Sequence, residues 1–135
     1  IEQIKIGEKV LGVSEDGNIA TVEVVETFYH PKRYGFYVIE TEDGNILRVT
    51  GNHPIYNGKD FVEAGTLKTG DNILVVDSRD NRHLIYSEIV RMEKEDRIVD
   101  VYNLEVNSPH TYIADGIVVH NKVLKERQQE IIGGF

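Results

Sequence analysis

The 135-residue sequence predicts a nearly all-β fold, and three observations predict it. Short apolar stretches rich in Val, Ile, Thr, Tyr and Phe recur along the chain, about ten in number. Turn signals separate them, with Asp-Gly or Asn-Gly at 16–17, 43–44, 57–58 and 115–116. Only one segment reads as a helix. Residues 122–132, KVLKERQQEII, set good helix formers between apolar positions at 123, 124, 131 and 132, and stop at Gly133-Gly134.

In order, Lys9–Val13 reads as a short strand entered through a turn at Gly7, and SEDGN at 14–18 turns the chain back. Residues 19–29 are extended, and Pro31 is expected to break that run because it biases His30 away from helix. Residues 35–41 and 46–50 pair as a hairpin across Glu42–Asn45. Residues 51–58 read as a turn region, 59–62 as a short strand, 63–71 as no more than a turn of helix, and 72–76 as a strand. DSRDNR at 77–82 is a loop, 84–92 a strand, 93–96 an acidic break, and 98–106 a strand with clean alternation. A repeat is faintly visible: IKIGEKVLGV near the start resembles LKTGDNILVV at 67–76, each Lys-x-Gly-acidic-x-apolar-Leu-x-Val. Two copies about 63 residues apart suggest two related β subdomains.

Composition narrows the function. Apolar residues make up 40% and charged residues 28%, which is globular composition. A net charge of -8 with scattered Lys and Arg argues against nucleic acid as a partner. The absence of cysteine removes disulfides, Cys-based zinc sites and a cysteine nucleophile within these residues. No run approaches transmembrane length, so no membrane partner is expected. The opening IEQIKIGEKV shows no signal peptide and reads as the inside of a domain. Acidic composition without cysteine suits the cytoplasm.

The stretch that carries chemistry is 103–122, NLEVNSPHTYIADGIVVHNK. A strand IVV runs directly into His120-Asn121, which is unusual for a strand end with only a structural task. An Asn side chain can attack its own backbone carbonyl through a five-membered ring and cut the chain behind it. The reacting atoms are already tethered, so much of the entropic barrier is gone. Histidine is the side chain suited to the proton transfers near neutral pH. The Asn121–Lys122 bond is therefore the candidate self-cleavage site. Ordinary roles exist for the same residues: Asn121 as a helix N-cap, His120 at a strand end, His110 holding a local turn, His53 in a turn before Pro54. They leave the stretch as a whole unexplained.

Several segments, in this order, carry a resemblance: IEQIKIGEKVLG, Thr50-Gly51-Asn52-His53-Pro54, FVEAGTLKTGDNIL and VYNLEVNSPHTYIADGIVVHN. Across nearly all of residues 1–121 the chain resembles the Hint fold family, which comprises inteins, bacterial intein-like domains and the hedgehog autoprocessing domain. The resemblance implies a horseshoe-like disc of two pseudo-symmetric β subdomains, with a flanking segment at 122–135. It implies that Thr50 and His53 strain an upstream amide and protonate its leaving amine, with Asn52 as an auxiliary donor. It implies that His110 assists cyclisation of Asn121. His120 would polarise the scissile carbonyl or protonate the departing Lys122 amine. The partners so implied are the protein's own flanking polypeptides, and no cofactor is required. Three histidines, His53, His110 and His120, can also hold zinc adventitiously.

The sequence departs from the family pattern in three places. Asn103 stands where many inteins carry Asp, and Asn brings neither charge nor a labile proton, which weakens coupling between two cuts. The family's N-terminal Cys or Ser lies upstream of the segment matching 1–12, so an acyl shift needs that strand supplied, for example as a short fragment in trans. Lys122 occupies the place of the usual Cys, Ser or Thr acceptor, and its protonated amine is a poor nucleophile. Residues 77–97 leave no room for an endonuclease insertion. The expectation is single-turnover cleavage at Asn121, with splicing only if the nucleophile is supplied and an atypical acceptor used. The alternative is a non-catalytic Hint-fold binding or presentation module in which the histidines are inert and 122–135 docks a partner.

Overall fold

The computed structural model of the protein describes residues 3–121. The expected helix at 122–132, the flanking segment and Lys122 lie outside the described residues. Nine strands are present among those described: β1 (Lys9–Val13), β2 (Ile19–Thr41), β3 (Ile46–Val49), β4 (Pro54–Tyr56), β5 (Phe61–Glu63), β6 (Asn72–Val76), β7 (Leu84–Val106), β8 (Thr111–Ala114) and β9 (Ile117–His120). A single 3-10 turn, Ala64–Thr66, follows β5.

All described pairings are antiparallel, and six strands close on themselves in the order β9-β6-β7-β2-β1-β8 and back to β9. Closure leaves no free edge inside the ring. β3 lies on β2, while β4 and β5 continue outward from β9. The fully buried side chains include Val24 and Ile39 of β2, Ile55 of β4, Ile73 of β6, Ile89 and Val106 of β7, and Ile117 of β9.

The faint repeat is structural. Gly7 and Gly70 both adopt left-handed backbone, at φ +91° and +98°, a conformation glycine takes without steric penalty. Gly7 N–H donates to Val24 O at 2.8 Å and Gly70 N–H to Ile89 O at 2.9 Å. Val24 N–H returns to Glu8 O, and Ile89 N–H to Asp71 O. β1 then pairs with β2 as β6 pairs with β7. The correspondence reaches the next strand along, where Gly12 faces Tyr112 and Val75 faces Ile117.

Two expectations are corrected. Pro31 does not end its strand: β2 runs for 23 residues through it. The register slips between His30↔Val101 and Arg33↔Val99, so Pro31 and Lys32 sit in a bulge where proline's missing N–H breaks no ladder bond. Lys32 takes φ +56° there and its N–H donates to the Asp100 carboxylate at 3.2 Å. Residues 93–96 are likewise no break. Glu93, Lys94 and Glu95 pair across from Val38, Tyr37 and Phe36, so β7 is also one 23-residue strand. Charge on the solvent side of a ribbon is compatible with the ladder. Two short strands escaped the reading altogether, β4 with proline at its first position and β8 with its polar Thr111.

Candidate functional site

Asn121 directly follows β9 and is buried, at 4% exposure. A polar side chain so placed must find partners, and the backbone of Val106 on β7 supplies them. Val106 N–H donates to Asn121 Oδ1 at 3.2 Å, and Asn121 Nδ2 donates to Val106 O at 3.0 Å. The Asn121 backbone N–H donates to His110 O at 2.8 Å. The carboxamide is thus held in one orientation, O and N assigned by their partners.

His120 lies beside the bond in question. Its Nδ1 is 2.6 Å from Asn121 O, the carbonyl oxygen of the Asn121–Lys122 peptide. A carbonyl only accepts, so Nδ1 carries the proton in this contact. The β8–β9 hairpin brings this about, pairing Thr111 with His120 across the turn at Asp115-Gly116.

His110 comes from the tight turn before β8, where it takes φ +68°. Its Nδ1 lies 3.0 Å from Val106 O and 3.4 Å from Asn121 Nδ2. Because Val106 O must accept, Nδ1 is protonated and cannot simultaneously take a proton from the carboxamide. Only the other tautomer, with Nδ1 bare, presents a lone pair to Asn121 Nδ2. The turn itself is anchored to β2, with Asn107 exchanging backbone and side-chain hydrogen bonds with Glu23, 3.0 Å each. The His110 and His120 rings stand edge to face at 6.2 Å.

Thr50 and His53 occupy a second place. The segment 50–53 is a turn in which His53 N–H donates to Thr50 O at 3.2 Å, and the 3-10 turn clamps it through Gly65 N–H to Gly51 O at 2.8 Å. Thr50 Oγ1 donates to Asn52 Oδ1 at 3.2 Å, and Asn52 is exposed. His53 is buried, its ring edge-on to Tyr112 at 6.5 Å. Burial pushes the Tyr112 phenol above its ordinary range, so it stays neutral between the two places.

Thr50, His53 and Tyr112 line a cleft of about 470 Å³, walled by Val10, Leu47 and Val99 among others. Asn103, buried on β7, opens onto the same cleft. The cleft combines apolar walls with polar and charged side chains, Arg48, Arg97 and Asp100 among them. The five predicted side chains therefore form two groups, not one: His110, His120 and Asn121 together, and Thr50 with His53 at the cleft. Among the described residues, no three metal-ligating side chains come together to hold an ion, so the three-histidine zinc site is not assembled. No helix among them is long and apolar enough to cross a membrane.

Sequence reasoning missed three participants. The Val106 backbone carries no residue-type signal. Tyr112 was legible only as an aromatic in the HTY string. Phe61 on β5 packs on the His120 ring at 4.6 Å, through a pairing between distant strands that the sequence does not display.

Comparison with known proteins agrees with the fold. The family model for the pretoxin HINT domain matches residues 1–123. A bacterial intein-like domain from Clostridium thermocellum is 31% identical, with a TM-score of 0.74 over 89% of this chain and 86% of that one. The gp41-1 intein is 25% identical, with a TM-score of 0.69 over 89% and 84%. A DnaB intein from Synechocystis shares the fold at 20% identity, with a TM-score of 0.77 over 88% and 82%. No curated protein matches the chain.

Proposed function

The chain belongs to the pretoxin HINT domain family, and from that premise we propose that it cuts its own Asn121–Lys122 bond by asparagine cyclisation. One observation carries the reading: a buried Asn121 whose carboxamide is fixed by Val106 while its own carbonyl oxygen accepts from His120 Nδ1 at 2.6 Å.

The step balances without a cofactor. Asn121 Nδ2 attacks the Asn121 carbonyl carbon, forming the C–N bond of a five-membered imide. Charge develops on Asn121 O, where the His120 N–H already points, and a donor aimed at a developing oxyanion is a large catalytic term. The bond to the Lys122 nitrogen then breaks. Nδ2 gives up one proton and the Lys122 amine gains one: His110 takes the first after its ring proton moves to Nε2 and leaves Nδ1 bare, and His120, beside the same peptide bond, supplies the second. The products are a chain ending in a succinimide and a freed segment 122–135. Each molecule reacts once.

The cleft belongs to a second, conditional step. An extended segment that begins with Cys or Ser would lie in this cleft, its apolar side chains against Val10, Leu47 and Val99 and its first amide near Thr50 and His53. Such a segment, contiguous with the domain or supplied as a separate piece, would permit an upstream acyl shift. Asn103 offers that step a neutral amide in place of a carboxylate. With Lys122 as acceptor, cleavage is favoured over splicing.

The test is intact mass against time at about pH 6 to 8, the range in which histidine changes charge. It is run on the protein and on Asn121→Ala, each with and without a peptide carrying a Cys-started strand. Loss of the 122–135 mass in the parent and none in Asn121→Ala establishes cyclisation. Release from Asn121→Ala at the same bond excludes it. Unchanged mass under every condition favours a Hint fold kept for binding or presentation.

A further inference from the structure

Phe61 stands at an odd place for a large apolar residue. It starts the three-residue strand β5, the outermost in its part of the sheet, and is 40% exposed. A core role does not explain it. Its ring packs against two others: Tyr56, its cross-strand partner, at 4.9 Å and 36°, and His120 at 4.6 Å and 58°. The sheet makes the second contact possible, because β4 pairs with β5 on one side and with β9 on the other, Ile55 facing Val119.

His120 needs such a neighbour. Its contact with Asn121 O is made to the next residue in its own chain, and only Nδ1 can make it. A half-turn about χ2 exchanges Nδ1 for a carbon and loses the donor. An imidazole at a strand end, partly open to water, has little of its own to prevent that turn. Two rings bracket it: His110, edge to face at 6.2 Å, and Phe61, closer and tilted. His110 belongs to the reacting group, whereas Phe61 makes no bond to the reacting atoms. The Tyr56 ring in turn backs Phe61, whose exposed position would otherwise let it swing away.

We infer that Phe61 is a positioning residue for the cleavage reaction, its ring holding the His120 imidazole with Nδ1 toward the Asn121 carbonyl. The inference rests on the cyclisation reading for its effect on rate, but its physical content, the orientation of one ring, stands apart from it. Aromatic packing is what the position requires, so Tyr should serve and an aliphatic side chain of similar bulk should not.

Two measurements test it. The first is the rate of 122–135 release in Phe61→Tyr, Phe61→Leu and Phe61→Ala. Tyr should stay within about 3-fold of the parent, while Ala slows release about 10- to 100-fold, the scale of a displaced catalytic group, and Leu falls nearer Ala. The second is the side-chain nitrogen spectrum of His120 in an Asn121→Ala background, where no cleavage consumes the sample. One protonated Nδ1 signal is expected with Phe61, and averaged tautomers with Phe61→Ala. Thermal melting confirms that each variant is folded, as an exposed edge position predicts. Parent rate or parent His120 signals in Phe61→Ala overturn the inference. If the parent itself never releases the segment, the cyclisation reading falls, and the His120 signals alone decide whether Phe61 holds the ring.

Discussion

The two polar sites of this domain are built in opposite ways. Around Asn121 the chain closes on itself: residues 106–121 supply the Val106 backbone, His110, His120 and Asn121, and both ends of the Asn121 carboxamide are hydrogen-bonded. At Thr50 and His53 the walls come from β1, β2, β3, β7, β8 and β9, and they surround about 470 Å³ of open space. A site whose reactant is its own backbone needs no volume for a ligand. It needs the carboxamide and carbonyl held in register, which a short hairpin does at little entropic cost because its residues are close in sequence. A site that acts on a segment from elsewhere must keep space for it. The difference fits the proposed self-cleavage at the closed site and the proposed reception of another segment at the open one.

The largest test of that division is His120→Ala. Removing the donor to Asn121 O should slow release of 122–135 by roughly 10- to 10⁴-fold, the range for loss of general acid–base help. The loss should be seen in the protein by itself, with no added peptide, since the closed site is complete within these residues. Intact mass over time is the measurement. A His120→Ala rate equal to the parent would mean that the 2.6 Å contact is only a strand-end hydrogen bond.

Gly12→Ala probes the strand contact between the two sites. β1 meets β8 there, with Gly12 facing Tyr112. A Cβ on Gly12 would come within 2.5 Å of Thr111 O and 2.7 Å of Val22 Cγ2. The backbone oxygen cannot rotate aside, so β8 must move. Overpacking of this kind costs about 1–3 kcal/mol and should lower the melting temperature by several degrees. Thr111 pairs with His120, so release should slow as well, by up to about 10-fold if the shift reaches the scissile bond. Calorimetry with the mass assay separates the two effects. A lowered melting temperature with an unaltered rate would show the closed site to be self-supporting.

How much of this was legible in the sequence differs between the same two sites. The closed one is nearly local, and its His120-Asn121 end and the turn before His110 stand within twenty residues of each other, so the pattern could be read as chemistry. The fold was legible for a related reason: Lys-x-Gly-acidic marks both copies of one turn, and Gly7 and Gly70 do take the same left-handed backbone. What resisted reading depends on pairing at a distance. Pro31 looks like a break until β7 is seen to accommodate it in a bulge, and the charges at 93–96 look like a loop until they are paired with 36–38. Grouping the histidines was beyond reach as well. His53 sits at the cleft edge-on to Tyr112, whereas His110 and His120 stand against each other.

The smallest expected effect is the most discriminating. The hydrogen bonds that fix the Asn121 carboxamide come from Val106, while Thr50 Oγ1 donates to Asn52 and the His53 backbone bonds Thr50 and Ala64. The contact that leads from them toward the closed site is the edge of Tyr112, 6.5 Å from the His53 ring. Sites without shared partners respond independently to within about 0.3–0.5 kcal/mol, roughly 2-fold in rate. Thr50→Ala and His53→Ala should therefore leave release of 122–135 within about 2-fold of the parent when no other segment is present. The same variants should abolish any extra product that a Cys-started peptide induces, because the proposed upstream step uses the cleft that Thr50 and His53 line. Fall of the unaided release by 10-fold or more would join the sites through Tyr112, a coupling of about 1.4 kcal/mol or greater. Tyr112→Phe would then locate it, because it removes the phenol oxygen while leaving the ring beside His53.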